Sequence, residues 1–221
     1  MPENDRFHVI ALDGGAASGK SSSSRELAAR RHFLHIDTGA HYRAVTAHAL
    51  EAAIEPTAGP ELESLLADLT FETEISTRSG LLKINGKVPV DATLRTEAVN
   101  AAVSKFAAIP AVREAVKRYQ KSQVEVARSN RFNGIIMDGR DIGSVILPGA
   151  DLKLFLFADA QTREKRRQAE GISDAIAQRD QMDEKRKTAP LSATSDAIKI
   201  DNSNLSLAEV VTKIEELLDA L

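Results

Sequence analysis

Short apolar runs that end in glycine or charge recur along this chain, and amphipathic stretches separate them. Phe7 to Leu12 is of strand length, contains Val9 and Ile10, and is followed by glycines. That pattern predicts a parallel strand buried on both faces. A helix is expected from about Gly19 through Leu27 to Arg31, then a second strand at Phe33 to Ile36 that Asp37-Thr38-Gly39 breaks. Tyr42, Val45, Ala49 and Leu50 share one face of the next helix. Strand, loop and helix repeated in this order open a parallel α/β sheet.

The middle of the chain changes character. Leu62, Leu65, Leu66 and Leu69 fall at helical spacing within Pro60 to Thr70, and Pro110 suits the first turn of a helix carrying Val112, Val116 and Tyr119. Between them, Phe71 to Ile75 and Leu81 to Ile84 read as strands joined by Ser76 to Gly80. Asn85-Gly86 is a strong hairpin signal leading into a further strand at Lys87 to Val90. Approximately residues 70–95 are therefore expected to be an inserted, hairpin-rich subdomain within a single domain spanning 1–221. The parallel pattern returns with strands at Gly134 to Met137, Leu152 to Phe157 and Ala197 to Ile200. Leu207, Val210, Val211, Ile214, Leu217 and Leu218 form an amphipathic terminal helix. Arg163 to Arg186 is dense in charge and poor in large apolar side chains, as a solvated helix or a closing flap would be.

Composition narrows the chemistry. The chain has 32 acidic and 29 basic residues, a formal charge of −3, so any anion site must be built from a few placed cations. It has no cysteine, which removes disulfides, thiolate nucleophiles and zinc–thiolate centres. The polar start, Met-Pro-Glu-Asn-Asp-Arg, and the brevity of the first apolar run argue against a signal or membrane segment. A cytoplasmic monomer is the expectation.

One motif carries the most weight. Gly14-Gly15-Ala16-Ala17-Ser18-Gly19-Lys20-Ser21 matches G-x-x-x-x-G-K-[ST] at every fixed position, after a strand and before a helix. Its glycines let successive N–H groups turn inward around phosphate oxygens, and the helix adds its positive end. Lys20 supplies a cation for the β- and γ-phosphates, and the Ser21 hydroxyl suits Mg²⁺. Such a loop, with Ser22 beside it, binds a nucleoside triphosphate; ATP and Mg²⁺ are the expected cofactors.

The acceptor side has to decide what happens to that triphosphate. Asp37-Thr38-Gly39-Ala40-His41-Tyr42-Arg43 and Asp138-Gly139-Arg140-Asp141 each follow a predicted strand and face the crevice at the strand ends. An arginine with carboxylates in both segments suits a second anionic substrate, unless Arg43 and Arg140 merely pair with Asp37, Asp138 or Asp141. No N-K-x-D signature for guanine occurs, which disfavours a nucleotide switch. Within small-acceptor kinases, UMP, dTMP and shikimate are the alternative acceptors. The five histidines show no catalytic or metal spacing.

These motifs, with Ala107 to Arg113 (A-A-x-P-x-V-R), Arg179 to Arg186 (R-D-x-x-D-x-x-R) and Ala189-Pro190-Leu191, follow one another in an order that resembles the bacterial cytidylate kinases. That family belongs to the P-loop nucleoside monophosphate kinases. The resemblance runs nearly end to end. It implies a P-loop NTPase-type parallel sheet flanked by helices, a monophosphate-binding subdomain and a short lid at approximately 163–187. It further implies that Arg43, Arg140 and Arg186 hold the acceptor phosphate in a pocket with Thr38 and Tyr42. Ser104, Arg113 and Asp141 would read cytosine, and Arg179 and Asp183 would meet the sugar. Lys20, Arg140 and Arg186 would neutralise the transferring group, and Asp138 would order water around Mg²⁺. CMP or dCMP becomes the expected acceptor, with no nucleic-acid polymer or membrane as partner. Helical spacing leaves a salt-bridge ladder open for Arg179, Asp183 and Arg186. Ser104 and Arg113 also admit plain helix roles.

Three departures from the family pattern stand out. Arg167 to Arg179 is shorter than usual, Met182 and Glu184 replace positions that are often basic, and His41 stands where Met or Ile is common.

Overall fold

The computed structural model describes residues 6–169, 176–186 and 188–221, without the side chains of residues 169 and 176–179. The chain opens with β1 (His8–Gly14), α1 (Lys20–Arg31), β2 (Phe33–Asp37) and α2 (Thr38–Glu51). It continues through α3 (Pro60–Asp68), β3 (Phe71–Ser76), β4 (Ser79–Ile84), α4 (Asp91–Leu94), α5 (Glu97–Phe106) and α6 (Pro110–Ser129). β5 (Gly134–Gly139), a π turn (Ile142–Ile146), β6 (Leu152–Phe157), α7 (Ala160–Ala169), α8 (Ile176–Glu184), β7 (Ile198–Asp201) and α9 (Leu207–Asp219) complete it.

Among the described residues, the strands form one sheet in the order β3-β4-β2-β5-β1-β6-β7. Every pairing is parallel except β3 with β4. β1, apolar from Val9 to Leu12, lies between β5 and β6 and is buried along nearly its full length, which is why it reads as a continuous run rather than an alternation. Leu27, Ala28, Val210, Val211 and Ile214 of α1 and α9 cover one face of its core. Ala127 and Phe132 close over Leu34, Ile135 and Met137 on the other. A third cluster packs α2, α3, α5 and α6 around Phe106, Val112 and Val116. The terminal helix α9 starts on a capping box of Ser206 and Glu209, which satisfies two otherwise orphaned amides.

Three local expectations are corrected. The turn between β3 and β4 is two residues, Thr77-Arg78, rather than Ser76 to Gly80, with Thr77 at a positive φ of 55°. Asn85 and Gly86 do make a tight turn, with φ of 49° and 78°, but the expected strand at Lys87 to Val90 amounts to a single bridge, Ile84 to Lys87. Pro89 has no N–H with which to extend that ladder. The β3–β4 hairpin instead continues the main sheet at its edge, where Ser79 pairs with His35 of β2. Finally, β5 runs past Met137 through Asp138 and Gly139, so Asp138 is a strand residue in register with Asp37 and Leu12. That register brings two carboxylates side by side at the sheet's carboxyl end.

Candidate active site

The loop between β1 and α1 turns sharply because its backbone demands it. Gly14 has φ of 154°, and a Cβ there would run into the Leu156 carbonyl oxygen. Gly19 has φ of 87° at the start of α1, where it contributes no capping side chain and leaves the first-turn amides pointing into the loop. By contrast, α2 is capped by Asp37, whose carboxylate accepts from the Ala40 amide. An uncapped helix start in a glycine turn leaves backbone N–H groups unpaired by any capping side chain.

This loop forms one wall of a cleft of about 530 Å³. Residues Ala16 to Ser22 line it, and Thr38, Tyr42, Arg43, Ser104, Arg140, Asp141, Asp183 and Arg186 face them. Most of the residues expected to bind donor and acceptor therefore meet around one space. Gly14 and Gly15 shape the turn behind it, and Arg113 stands behind Asp141.

Lys20 is buried and its Nζ donates to Gly15 O at 2.8 Å and to Ser18 Oγ at 3.4 Å. Burial, reinforced by the charge of Arg140, pulls its ammonium down to about 7. The Ser21 hydroxyl donates to Asp138 Oδ1 at 2.7 Å, and Thr38 Oγ1 donates to the Asp138 carbonyl at 2.7 Å. Burial alone would raise the Asp138 carboxyl, but His35, Lys20 and Ser21 together hold it below the usual range. Among the described residues, no group of three or more His, Cys, Asp or Glu gathers as a metal cluster. A hydroxyl beside a carboxylate is nonetheless the hard oxygen set that Mg²⁺ uses when phosphates and water complete its shell.

The arginines are held by neighbouring carbonyl, amide and carboxylate oxygens. Arg43 Nη1 donates to Leu94 O at 2.9 Å and to Asn100 Oδ1 at 2.7 Å, which ties α2 to α4 and α5. Arg140 donates to Gly14 O at 3.1 Å and through Nε to Asp183 Oδ2 at 2.8 Å. Arg186 Nη2 reaches Asp183 Oδ1 at 2.8 Å. Asp183, expected at the sugar, is thus clamped between two arginines, and the i,i+3 pair with Arg186 is formed. Arg113 and Asp141 make an ion pair in which both side chains are 5% exposed, and Arg113 also donates to Ala107 O at 3.2 Å. Burial raises the Asp141 carboxyl against the opposing pull of Arg113 and Arg186. The Tyr42 hydroxyl is buried with no hydrogen-bond partner, and the Arg113 guanidinium lies 5.5 Å from its ring centre. Ser104 is buried on α5 facing the cleft. The Arg179 side chain lies outside the described residues.

Three contributors escaped the sequence reading. Asp13 accepts from the Ile142 and Gly143 amides at 2.8 Å each, and so anchors the π turn that follows Asp141. Its burial pushes the carboxyl up to about 6. Asp180 of α8 accepts from the Ala16 amide at 2.9 Å and pairs with Arg163. His35 Nε2 meets Asp138 Oδ2 at 2.7 Å, a contact that follows from the β2–β5 register and not from any histidine spacing.

A family model described as cytidylate kinase matches residues 10–220. The chain belongs to the cytidylate kinase family. It is 39% identical to a cytidylate kinase of Geobacillus kaustophilus over 95% of this chain and 96% of the relative. A cytidylate kinase of another Geobacillus species (strain WCH70) is 41% identical over the same shares. The fold is also that of a crystal structure from Thermus thermophilus, with a TM-score of 0.51 at 18% identity and 98% of each chain covered. Among the described residues, no helix is long and apolar enough to cross a membrane.

Proposed function

We propose that this chain transfers the γ-phosphoryl group of ATP to CMP or dCMP, giving ADP and the diphosphate. The observation that carries the reading is the shared cleft: Asp141, held by Arg113, opens on the same space as Lys20, Arg43, Arg140 and Arg186. Cytosine differs from uracil in offering an amino donor beside ring acceptors. A carboxylate coupled to a guanidinium matches that pattern, and Ser104 adds a hydroxyl at its edge. A buried pair of this kind rejects the wrong base because its groups would be left unpaired.

Phosphoryl transfer asks mainly for positioning and charge neutralisation. The loop amides from Gly14 to Ser22 cradle the donor's phosphates, and Lys20 leaves Gly15 O to meet them. Arg140 and Arg186 release Asp183 to hold the transferring group, with Arg43, Thr38 and Tyr42 around the acceptor phosphate. Arg179 and Asp183 complete the sugar side. The acceptor phosphate is already ionised, so no strong general base is required. Ser21, and Asp138 through water, would hold Mg²⁺, which would supply positive charge against the donor's phosphates. Approximately residues 163–187, of which 170–175 and 187 lie outside the described residues, act as the lid that excludes water, and approximately 70–95 belong to the acceptor-binding subdomain. A monomer working in the cytoplasm completes the proposal.

The test is turnover of the purified chain with ATP, Mg²⁺ and each of CMP, dCMP, UMP, dTMP, AMP and shikimate. Phosphorylation of CMP or dCMP well above the others is expected. Clear turnover of another acceptor without either of these overturns the assignment.

A further inference from the structure

The two oxygens of Asp138 are divided between two partners on opposite sides. Oδ1 accepts from Ser21 Oγ and Oδ2 from His35 Nε2, each at 2.7 Å. The His35 and Asp138 side chains are both 3% exposed, so neither oxygen has bulk water to turn to. An ionised carboxylate only accepts, which places the imidazole proton on Nε2. The backbone around it is fixed as well, since Thr38 Oγ1 donates to Asp138 O and the strand pairs with β1 and β2. Asp37 lies opposite Asp138 in the register. A donor on Oδ2 leaves Oδ1 to Ser21, so the two bonds together fix the plane of the Asp138 carboxylate.

We propose that His35 is a positioning residue: it holds the Asp138 carboxylate with Oδ1 aimed at Ser21, so that the pair meets the metal–phosphate end of the nucleotide already oriented. This rests on the reading of Ser21 and Asp138 as the Mg²⁺ side of the site. Outer partners of this type set the orientation of the groups that face a metal, and their loss typically costs about 10- to 100-fold in metal affinity. His35 contributes nothing to the phosphate contacts of the loop itself, so its effect should appear only when metal is present.

The experiment is isothermal titration of ADP into the full chain with Mg²⁺ and with a chelator, the ratio of the two affinities being the readout. His35→Leu is expected to lower that ratio about 10-fold while leaving the metal-free affinity within about 2-fold of wild type. His35→Gln, which keeps an N–H donor near the same point, is expected to preserve the ratio. A wild-type ratio in His35→Leu overturns the proposal, as does an equal fall of both affinities or a loss in His35→Gln as large as in His35→Leu. Asp138→Asn separates the two levels. An unchanged ratio in that variant overturns the Ser21–Asp138 reading itself. A lowered ratio there beside a normal one in His35→Leu overturns only the role of His35. If His35→Leu does not fold, the wild-type protein decides: with histidine labelled, the Nε2–H resonance of His35 in the ADP complex is expected to move on adding Mg²⁺, and a fixed resonance overturns the proposal.

Discussion

The Asp180 carboxylate accepts the backbone N–H of Ala16 at 2.9 Å, joining the helix α8 to the phosphate loop across 164 residues of sequence. Arg163 pairs with the other carboxylate oxygen and also reaches Ala16 O at 3.4 Å. An anion of the protein thus takes one of the loop amides proposed to meet the donor's phosphates.

Removing that competitor should tighten donor binding. For Asp180→Ala we expect the dissociation constant for ATP to fall about 3- to 10-fold, because less of the protein has the amide engaged. Direct titration of ATP measures it. Unchanged or weaker binding would mean that Asp180 does not compete with the donor.

Lys20 illustrates a cost of function. Its ammonium is lowered from 10.5 to about 7, chiefly by burial. A base with a depressed folded pKa loses stability as pH falls through the window from 10.5 to about 7. Lys20→Met should therefore abolish transfer yet raise stability at pH 7 by on the order of a few kcal/mol. Denaturant melts at pH 7 and pH 10.5 check it: the gain should shrink at the higher pH, and a constant difference contradicts the explanation.

His41 gives a second pH signature, in the acid range. It is buried against the Tyr119 ring with neither ring nitrogen hydrogen-bonded, and burial lowers it from 6.5 to about 3. The unfolded chain takes up the proton first, so stability is lost as pH falls from 6.5 toward 3. His41→Leu removes this term. Its stability relative to the native chain should grow by about 1.4 kcal/mol for each pH unit below 6.5. A pH-independent difference between the two would count against it.

The Arg113–Asp141 pair should behave as a unit. Arg113→Met alone leaves a buried carboxylate without its partner and should cost about 3–5 kcal/mol. Arg113→Met combined with Asp141→Leu should be distinctly less destabilising, although both proteins lose selectivity for cytosine. Equal destabilisation in the single and double variants, read from urea melts, would show that the pair is not coupled.

Much of the site was legible because its chemistry is local. The phosphate loop needs glycine angles, a lysine and a hydroxyl within eight consecutive residues, and β1 and α1 flank it with the periods expected of them. Other parts were not legible for equally physical reasons. The Asn85-Gly86 turn formed as expected, but Pro89 left only one bridge where a strand was read. The strand β5 hid Asp138 and Gly139, since polar residues at a buried strand end look like the start of a loop.

By itself the sequence determined the α/β alternation, the glycine turn between β1 and α1 and the ordered motifs of the family, because each depends on residues close together in the chain. Only the tertiary structure decided which side chains share one carboxylate. His35 and Ser21 divide Asp138, Arg140 and Arg186 divide Asp183, and Asp180 reaches Ala16. These contacts are set by strand register and by where α8 docks, and neither is encoded in local spacing. Burial then fixes their strength, since a hydrogen bond or charge removed from water finds no substitute partner.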